Sequence, residues 1–371
     1  MKGIVLLIGV FAVCFTGCRE EYLPKVTSSE QSFLVIEGNL NASHDTTVIR
    51  LTRTFKLDDT ATLNVENNAL VTVEGSDNTI RSLIESGDGK YISPDLNLNI
   101  NTDYRLRIRT VNAKEYLSNY VKARKTPAID SISWEKSETG VGIFASTSDP
   151  SNASRYYRWE FDETWEIRSY FHSYVIYDNG WIRPRNMPAE DVSVCWKYNQ
   201  SRTILLANST RLQDDVIYKF PLTNINKGDE KLAVRYSIMV KQYALDKDAY
   251  SFYELMQRNT EDIGSIFAPQ PSEIRGNIHC MSDPNEYVLG YITASTEEKQ
   301  RIFIERQWVF QQDCPEKKVP KIVDSVVYYF GSGFLIPYED VNFPDPHFKG
   351  APSYCVDCTT RGGSQARPSY W

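Results

Sequence analysis

Long apolar runs, histidine and cysteine are all scarce in this chain, and each scarcity narrows what it can be. The 371 residues hold four histidines (His44, His172, His279, His347), and none sits in an HExxH or other spaced metal motif. There is no Gly-x-Ser-x-Gly elbow, phosphate loop or cofactor-binding signature, so the sequence offers no cofactor. Glycine (19) and proline (17) are too few for collagen or a low-complexity chain, and 41% hydrophobic residues are too many for a disordered one. With 41 basic against 48 acidic residues, the net charge of -7 argues against nucleic acid as a partner. Mean hydropathy is -0.42, and the apolar stretch able to enter a bilayer lies at the extreme N-terminus.

What is present there is specific. Met1-Lys2 is followed by an apolar stretch from Gly3 to Phe15, shorter than the ~20 residues a membrane span needs. Residues 1–17 therefore read as a signal peptide. Its end, Phe15-Thr16-Gly17-Cys18, resembles a bacterial lipobox, which makes Cys18 the expected lipidation site and an acyl anchor in the outer membrane the expected attachment. The charged Arg19, Glu20 and Glu21 resemble an export tag for the outer cell surface, and residues 18–31 lack periodicity and read as a tether.

Beyond the tether the pattern is that of strands. Phe33 to Gly38, Val48 to Phe55, Leu70 to Glu74 and Ser82 to Glu85 are short β-branched runs, and Ser86-Gly87-Asp88-Gly89 reads as a hairpin turn. In Tyr104 to Arg109 the period of two puts Tyr104, Leu106 and Ile108 on one face and three arginines on the other, toward water. Glu115 to Lys122 is its expected partner. The break at Thr126-Pro127 separates a first β-sandwich, 32–126, from a second, 127–312. The second contains strands near Asp130 to Glu135, Tyr156 to Phe161, Thr203 to Asn208, Leu232 to Tyr243, Tyr287 to Thr293 and Arg301 to Phe310. One helix interrupts it near 246–259, with Asp246 or Asp248 as N-cap and Ala249, Phe252, Tyr253 and Met256 along one face. The expectation is an all-β chain: an Ig-like or transthyretin-like sandwich, then a fibronectin-III-like one, then an irregular, disulfide-stapled extension (313–371) packing on the second.

Several of these segments, in order, resemble the domain-of-unknown-function 4249 lipoproteins: Val35-Ile36-Glu37-Gly38, Gly89-Lys90-Tyr91, Gln242-Tyr-Ala-Leu-Asp246, Gly264-Ser265-Ile266-Phe267 with Gln270-Pro271, Gly276-Asn277-Ile278, Val288-Leu289-Gly290-Tyr291, Arg301-Ile302-Phe303-Ile304, and Cys355-x-x-Cys358-Thr-x-Arg361-Gly362-Gly363. The resemblance implies an outer-membrane lipoprotein of Bacteroidota, often encoded beside a TonB-dependent β-barrel receptor, and implies no known activity.

Of seven cysteines, Cys14 leaves with the signal peptide and Cys18 carries lipid. Chains outside the cytoplasm usually pair the remainder. Cys280, Cys314, Cys355 and Cys358 allow three connectivities. The favoured reading joins Cys355 and Cys358 to Cys280 and Cys314 and leaves Cys195 as a buried odd thiol. Carboxylates at Asp58-Asp59 or Glu163/Glu166 fit a glycosidase only loosely, so a non-catalytic protein is expected. The strongest hint of function is aromatic. Tyr157, Trp159 and Phe161 share a strand face and read as core, whereas Trp165, Tyr170, Tyr174, Tyr177 and Trp181 show no period and form a candidate binding patch, with Arg155, Arg168 and Arg183 as anchors for an acidic ligand. The leading expectation is a surface-exposed accessory or ligand-capture subunit acting with a TonB-dependent receptor in nutrient uptake. The alternative is a free-standing glycan- or protein-binding module of adhesin type.

Overall fold

In the computed structural model the described residues are 32–54, 64–261 and 274–371. Cys18, Arg19, Glu20 and Glu21, the rest of the signal peptide and tether, Asp58-Asp59, and the 264–271 motif lie outside them. Among the described residues no helix is long and apolar enough to cross a membrane.

The chain is built from antiparallel sheets around two main cores, as an all-β, sandwich-like fold. In the first lobe, Leu34–Asn41, Thr47–Arg53, Leu70–Gly75, Ile80–Gly87, Lys90–Ser93, Asp103–Arg109 and Glu115–Ser118 form one continuous ladder, and both ends of it bury side chains in the same core. Alternation sets what is inside. Tyr104, Leu106 and Ile108 are buried at 3%, 1% and 0% exposure. Of the three arginines on the opposite face, Arg109 is exposed as expected, but Arg105 and Arg107 are not free in water. Arg105 and Arg107 grip Glu74, and Arg107 also pairs with Glu115, so cross-strand ion pairs cover that face. The Gly87 turn is a two-residue hairpin with positive φ at Asp88 (52°) and Gly89 (67°).

The first lobe does not end at residue 126. Ile278–Cys280 pairs with Glu115–Ser118, and Val288–Leu289 and Thr293–Ser295 pair in parallel with Leu34–Asn41. A second sandwich taking the whole of 127–312 is therefore corrected: the chain leaves the first lobe, builds most of the second, and returns. Ile278, Cys280, Val288, Ile292 and Ala294 complete the first core. Parallel pairing with a distant segment cannot be read from local periodicity, which sees only the strand and not its neighbour.

The second lobe is a sandwich. One sheet orders Asp215–Asn226, Gly140–Asp149 and Ile129–Lys136. The other orders Val194–Gln200, Tyr156–Arg168, Arg235–Leu245 and Glu298–Glu305. Ile132, Val141, Ile143 and Ala145 from the first meet Tyr157, Trp159, Phe161 and Ile238 from the second. The helix runs Lys247–Glu261; the Asp246 carboxylate accepts from the Ala249 N–H at 2.7 Å, and Ala249, Phe252 and Tyr253 are buried.

The extension is more regular than expected. Lys317–Pro320, His347–Pro352 and Leu335–Val341 form a small antiparallel sheet, and Val323–Phe330 is a second helix. A hairpin from the second lobe, Val175–Asp178 with Trp181–Pro184, leans on this module: Tyr177 and Ile182 pack against Val319, Val326 and Phe330.

Candidate functional site

Two disulfides organise the region where the second lobe meets the extension. Cys195 bonds Cys358, and Cys314 bonds Cys355, while Cys280 is a buried free thiol. The expected pairing is corrected on both counts: Cys280 belongs to the first-lobe core, far from the extension in the topology, and Cys195 is not the odd thiol. Burial pushes the Cys280 thiol up, against hydrogen bonds from the Asp283 and Ser282 backbone, so it is a poor nucleophile.

The Cys355-x-x-Cys358-Thr-x-Arg361-Gly362-Gly363 run is a device for placing one side chain. Cys355 and Cys358 fix its two ends to different elements, and Asp357 caps the turn Cys358–Arg361 by accepting from the Thr359 N–H. Gly362 ends that turn at φ 79°, a conformation glycine adopts without strain. At Gly363 the constraint is space, since a Cβ would lie 2.5 Å from the Cys195 Cβ. The turn delivers Arg361, whose guanidinium donates to Glu230 at 2.7 Å and to the Arg168 carbonyl at 3.0 Å. Glu230 also accepts from Lys197 and from the Trp165 indole. Burial works to raise Glu230, but the bonds from Lys197 and Arg361 win and hold its carboxyl below the ordinary range.

Above this buried network opens a cleft of about 390 Å³, lined among others by Arg168, Tyr170, Arg306, Phe310, Gln312 and Arg361. Arg361 is committed to its partners. Arg168 spends its Nε on Glu166 at 2.7 Å but leaves its side chain 63% exposed, and Arg306 spends only its Nε, on the Trp308 carbonyl at 3.3 Å. Both arginines line the cleft together with the aromatic Tyr170 and Phe310, and their terminal guanidinium nitrogens make no hydrogen bond.

The five-residue aromatic patch divides. The strand expected to stop at Phe161 continues to Arg168, so Trp165 keeps the parity of Trp159 and Phe161 and is core, 8% exposed. Tyr177 is packed beneath the second helix. Tyr170, Tyr174 and Trp181 are exposed at 63%, 61% and 68%. Near them in the fold, the helix Val323–Phe330 and its flanks leave Ile322, Val327, Tyr328 and Phe334 exposed. Sequence reasoning missed these, because it took the extension as irregular and so saw no helix there with a solvent face. Of the arginine anchors, Arg155 donates to the Ser209, Leu212 and Gln213 carbonyls and Arg183 is locked between Asp178 and Glu190; Arg168 alone of the three lines the cleft. Arg183 holds the Glu190 carboxyl down to about 2.

Glu163 and Glu166, three apart on one strand, face opposite ways. Glu163 points inward and accepts from Lys231, Tyr236 and Asn199, while Glu166 lies on the other face, buried beneath Arg168 and Trp371, which donate to it. They do not face each other across a common substrate position. Among the described residues no cluster of three or more His, Cys, Asp or Glu groups is placed to hold a metal.

The sequence matches the family described as Domain of unknown function (DUF4249) over residues 19–301. This chain belongs to that family. No curated protein matches it. The match stops short of the Cys355–Gly363 turn, so much of the cleft and the extension lies beyond it. Where they are described, the segments of the DUF4249 resemblance within the match do framework work. A Cβ on Gly276 would lie 1.6 Å from the Gly290 carbonyl oxygen, and one on Gly290 would lie 2.1 Å from that of Ile36, so the returning segment crosses the first strand backbone to backbone. Asn277 bridges the same crossing, donating to the Ile292 carbonyl and accepting from its N–H, both at 2.9 Å. Gln242 is fully buried and joins the Pro127 carbonyl, the Thr147 hydroxyl and the Trp159 indole.

Proposed function

We propose that this DUF4249 protein is a non-catalytic binding protein, held on the outer membrane by lipid on Cys18 and displayed at the cell surface, that works beside a TonB-dependent receptor in nutrient uptake. The observation that carries the binding part is the exposed aromatic surface where the second lobe meets the extension: Tyr170, Tyr174 and Trp181 of the lobe, with Tyr328 and Phe334 of the extension. Aromatics left in water on a rigid, disulfide-held module are what a protein interface uses for its central contacts. The anchor would raise the effective concentration of this surface near a membrane partner, so modest contacts suffice. The lipobox-like Phe15-Thr16-Gly17-Cys18 and the Arg19-Glu20-Glu21 that follow support the location.

The test is isolation of the tagged protein from native outer membranes in mild detergent, with partners quantified. A stoichiometric β-barrel receptor, lost when Tyr170, Tyr174 and Trp181 are all replaced by Ala at unchanged melting temperature, is the expected result. Retention of the barrel by the triple variant would remove the aromatics from the interface. Absence of any stoichiometric barrel would favour the free-standing binding module, a reading that the open cleft beside Tyr170 supports. Cys18→Ala should release the protein from the membrane fraction.

A further inference from the structure

The cleft between the second lobe and the extension shares Tyr170 with the aromatic surface but adds a chemistry of its own, that of its arginines. The chain as a whole is acidic, at -7, yet the charged side chains lining the cleft are Arg168, Arg306 and Arg361 against Glu230. Glu230 is consumed internally: Arg361, Lys197 and Trp165 all donate to it, so its charge is already balanced by Arg361 and Lys197. That leaves Arg168, whose charge Glu166 balances, and Arg306, which has no acidic partner among the described residues, and both keep terminal N–H groups free of hydrogen bonds. Arg168 is aimed by its Nε bond to Glu166, which the Trp371 indole steadies in turn at 3.3 Å. Arg306 lines the same cleft from the segment that follows the strand Glu298–Glu305. Tyr170 and Phe310 line it as well, the Phe310 ring centre 5.7 Å from the Arg361 guanidinium.

We infer that this cleft binds the carboxylate of a small ligand, with Arg168 and Arg306 supplying the donors and Tyr170 a face for the attached apolar or ring portion. A planar guanidinium presents paired N–H groups that match a carboxylate's two oxygens, which a lysine or an amide does not. The volume, about 390 Å³, lies at the small end of ligand sites and suits one sugar ring or two amino-acid residues rather than a folded protein. Arg361 is a positioning residue: its bond to the Arg168 carbonyl and its seat on Glu230 hold the base of the cleft, and the Cys195–Cys358 bond holds Arg361. The carboxylate can belong to a hexuronic acid or to the C-terminus of a short peptide.

Calorimetric titration of the full chain separates these. The probes are glucuronate against glucose, and the dipeptide Ala-Ala against its C-terminal amide. Saturable binding of one acid, with its neutral counterpart at least roughly tenfold weaker, is expected and names the source; binding of both acids assigns the site to the carboxylate alone. Arg306→Gln and Arg168→Gln, both exposed and so compatible with an unchanged melting temperature, should each weaken the acid roughly tenfold, and Arg306→Lys should recover part of the loss. The acid should also bind more weakly at 0.5 M salt. Equal affinity for acid and neutral probes, no binding of either acid, or wild-type affinity in both glutamine variants would overturn the inference. Because Tyr174 and Trp181 do not line the cleft, the Tyr174→Ala, Trp181→Ala double variant should bind the acid normally, so the fate of this inference is independent of the receptor-docking reading.

Discussion

At the scale of single residues, the most constrained positions surround the half-buried carboxylate of Glu230 and the glycine after the second disulfide turn. Replacing Gly363 with Ala sets a Cβ 2.5 Å from the Cys195 Cβ and 3.0 Å from the Cys358 carbonyl oxygen. Neither neighbour can swing aside, since both are fixed by the disulfide, so a loss of about 1–3 kcal/mol in denaturant unfolding is expected; Gly87→Ala, which meets no atom within 4 Å but has φ 85°, tests backbone strain alone and should cost about 1 kcal/mol. Glu230 gives a pH signature. Its folded-state value is depressed, so its contribution is complete above the ordinary carboxylate value and is lost as pH falls through the lower folded value. Melting curves of the wild type and Glu230→Gln between pH 6 and 3 should therefore converge on the acid side. A gap that widens toward low pH would contradict the ion-pair account.

At the scale of elements, the two disulfides do different amounts of work. The Cys195–Cys358 bond closes a separation of 163 residues and Cys314–Cys355 one of 41. In the chain-entropy account these constrain the unfolded chain by about 5 and about 4 kcal/mol. Cys195→Ala with Cys358→Ala should cost more stability than the other pair and should also loosen Arg361, whereas Cys314→Ala with Cys355→Ala should act on the small sheet of the extension. Non-reducing peptide mapping should give just these two linked pairs, with Cys280 unlinked and alkylated only after unfolding. Sequence reading placed the cysteines in an oxidising setting and saw the extension as stapled. It could not see that Cys195 sits on the edge strand Val194–Gln200, beside the returning Cys358, because pairing depends on which strands are neighbours. The long strand shows the same limit from the other side. Its period of two was legible from Tyr156 to Phe161, and carrying that parity four residues further would have moved Trp165 from patch to core. The cleft was nearly invisible: Arg168 was legible as an exposed arginine, but Arg306 and Arg361 come from segments that meet it only through the disulfide and the sheet order.

At the scale of the whole molecule, the first lobe is discontinuous, and this decides how the chain must fold. The segment 276–296 leaves the second lobe, inserts Ile278, Cys280, Val288, Ile292 and Ala294 into the first core, and pairs with strands at both ends of the first-lobe ladder. Its seat is specific: Asn277 closes two hydrogen bonds onto Ile292, and Glu297, just beyond, accepts from Asn41 of the first lobe and Tyr243 of the second. Thr126 at the outward crossing is tied in the same way, accepting at its hydroxyl from the Ala244 N–H and bonding Thr296. The outward and return passages thus lie side by side and share partners, so neither lobe has a complete set of hydrogen bonds without the other. A fragment of residues 32–126 would leave the Leu34–Asn41 edge unpaired and five core side chains missing, at roughly 1.5–3 kcal/mol for each large one, which exceeds much of what a lobe this size has to spare. Expressed alone, it should show no cooperative thermal transition and a poorly dispersed amide spectrum. Adding 276–296 as a separate peptide should restore dispersion in proportion to peptide bound, and Gly290→Val in that peptide should abolish the rescue, because the Cβ would meet the Ile36 carbonyl oxygen at 2.1 Å. A fragment that melts cooperatively without the peptide would show instead that the return strands decorate a lobe already complete.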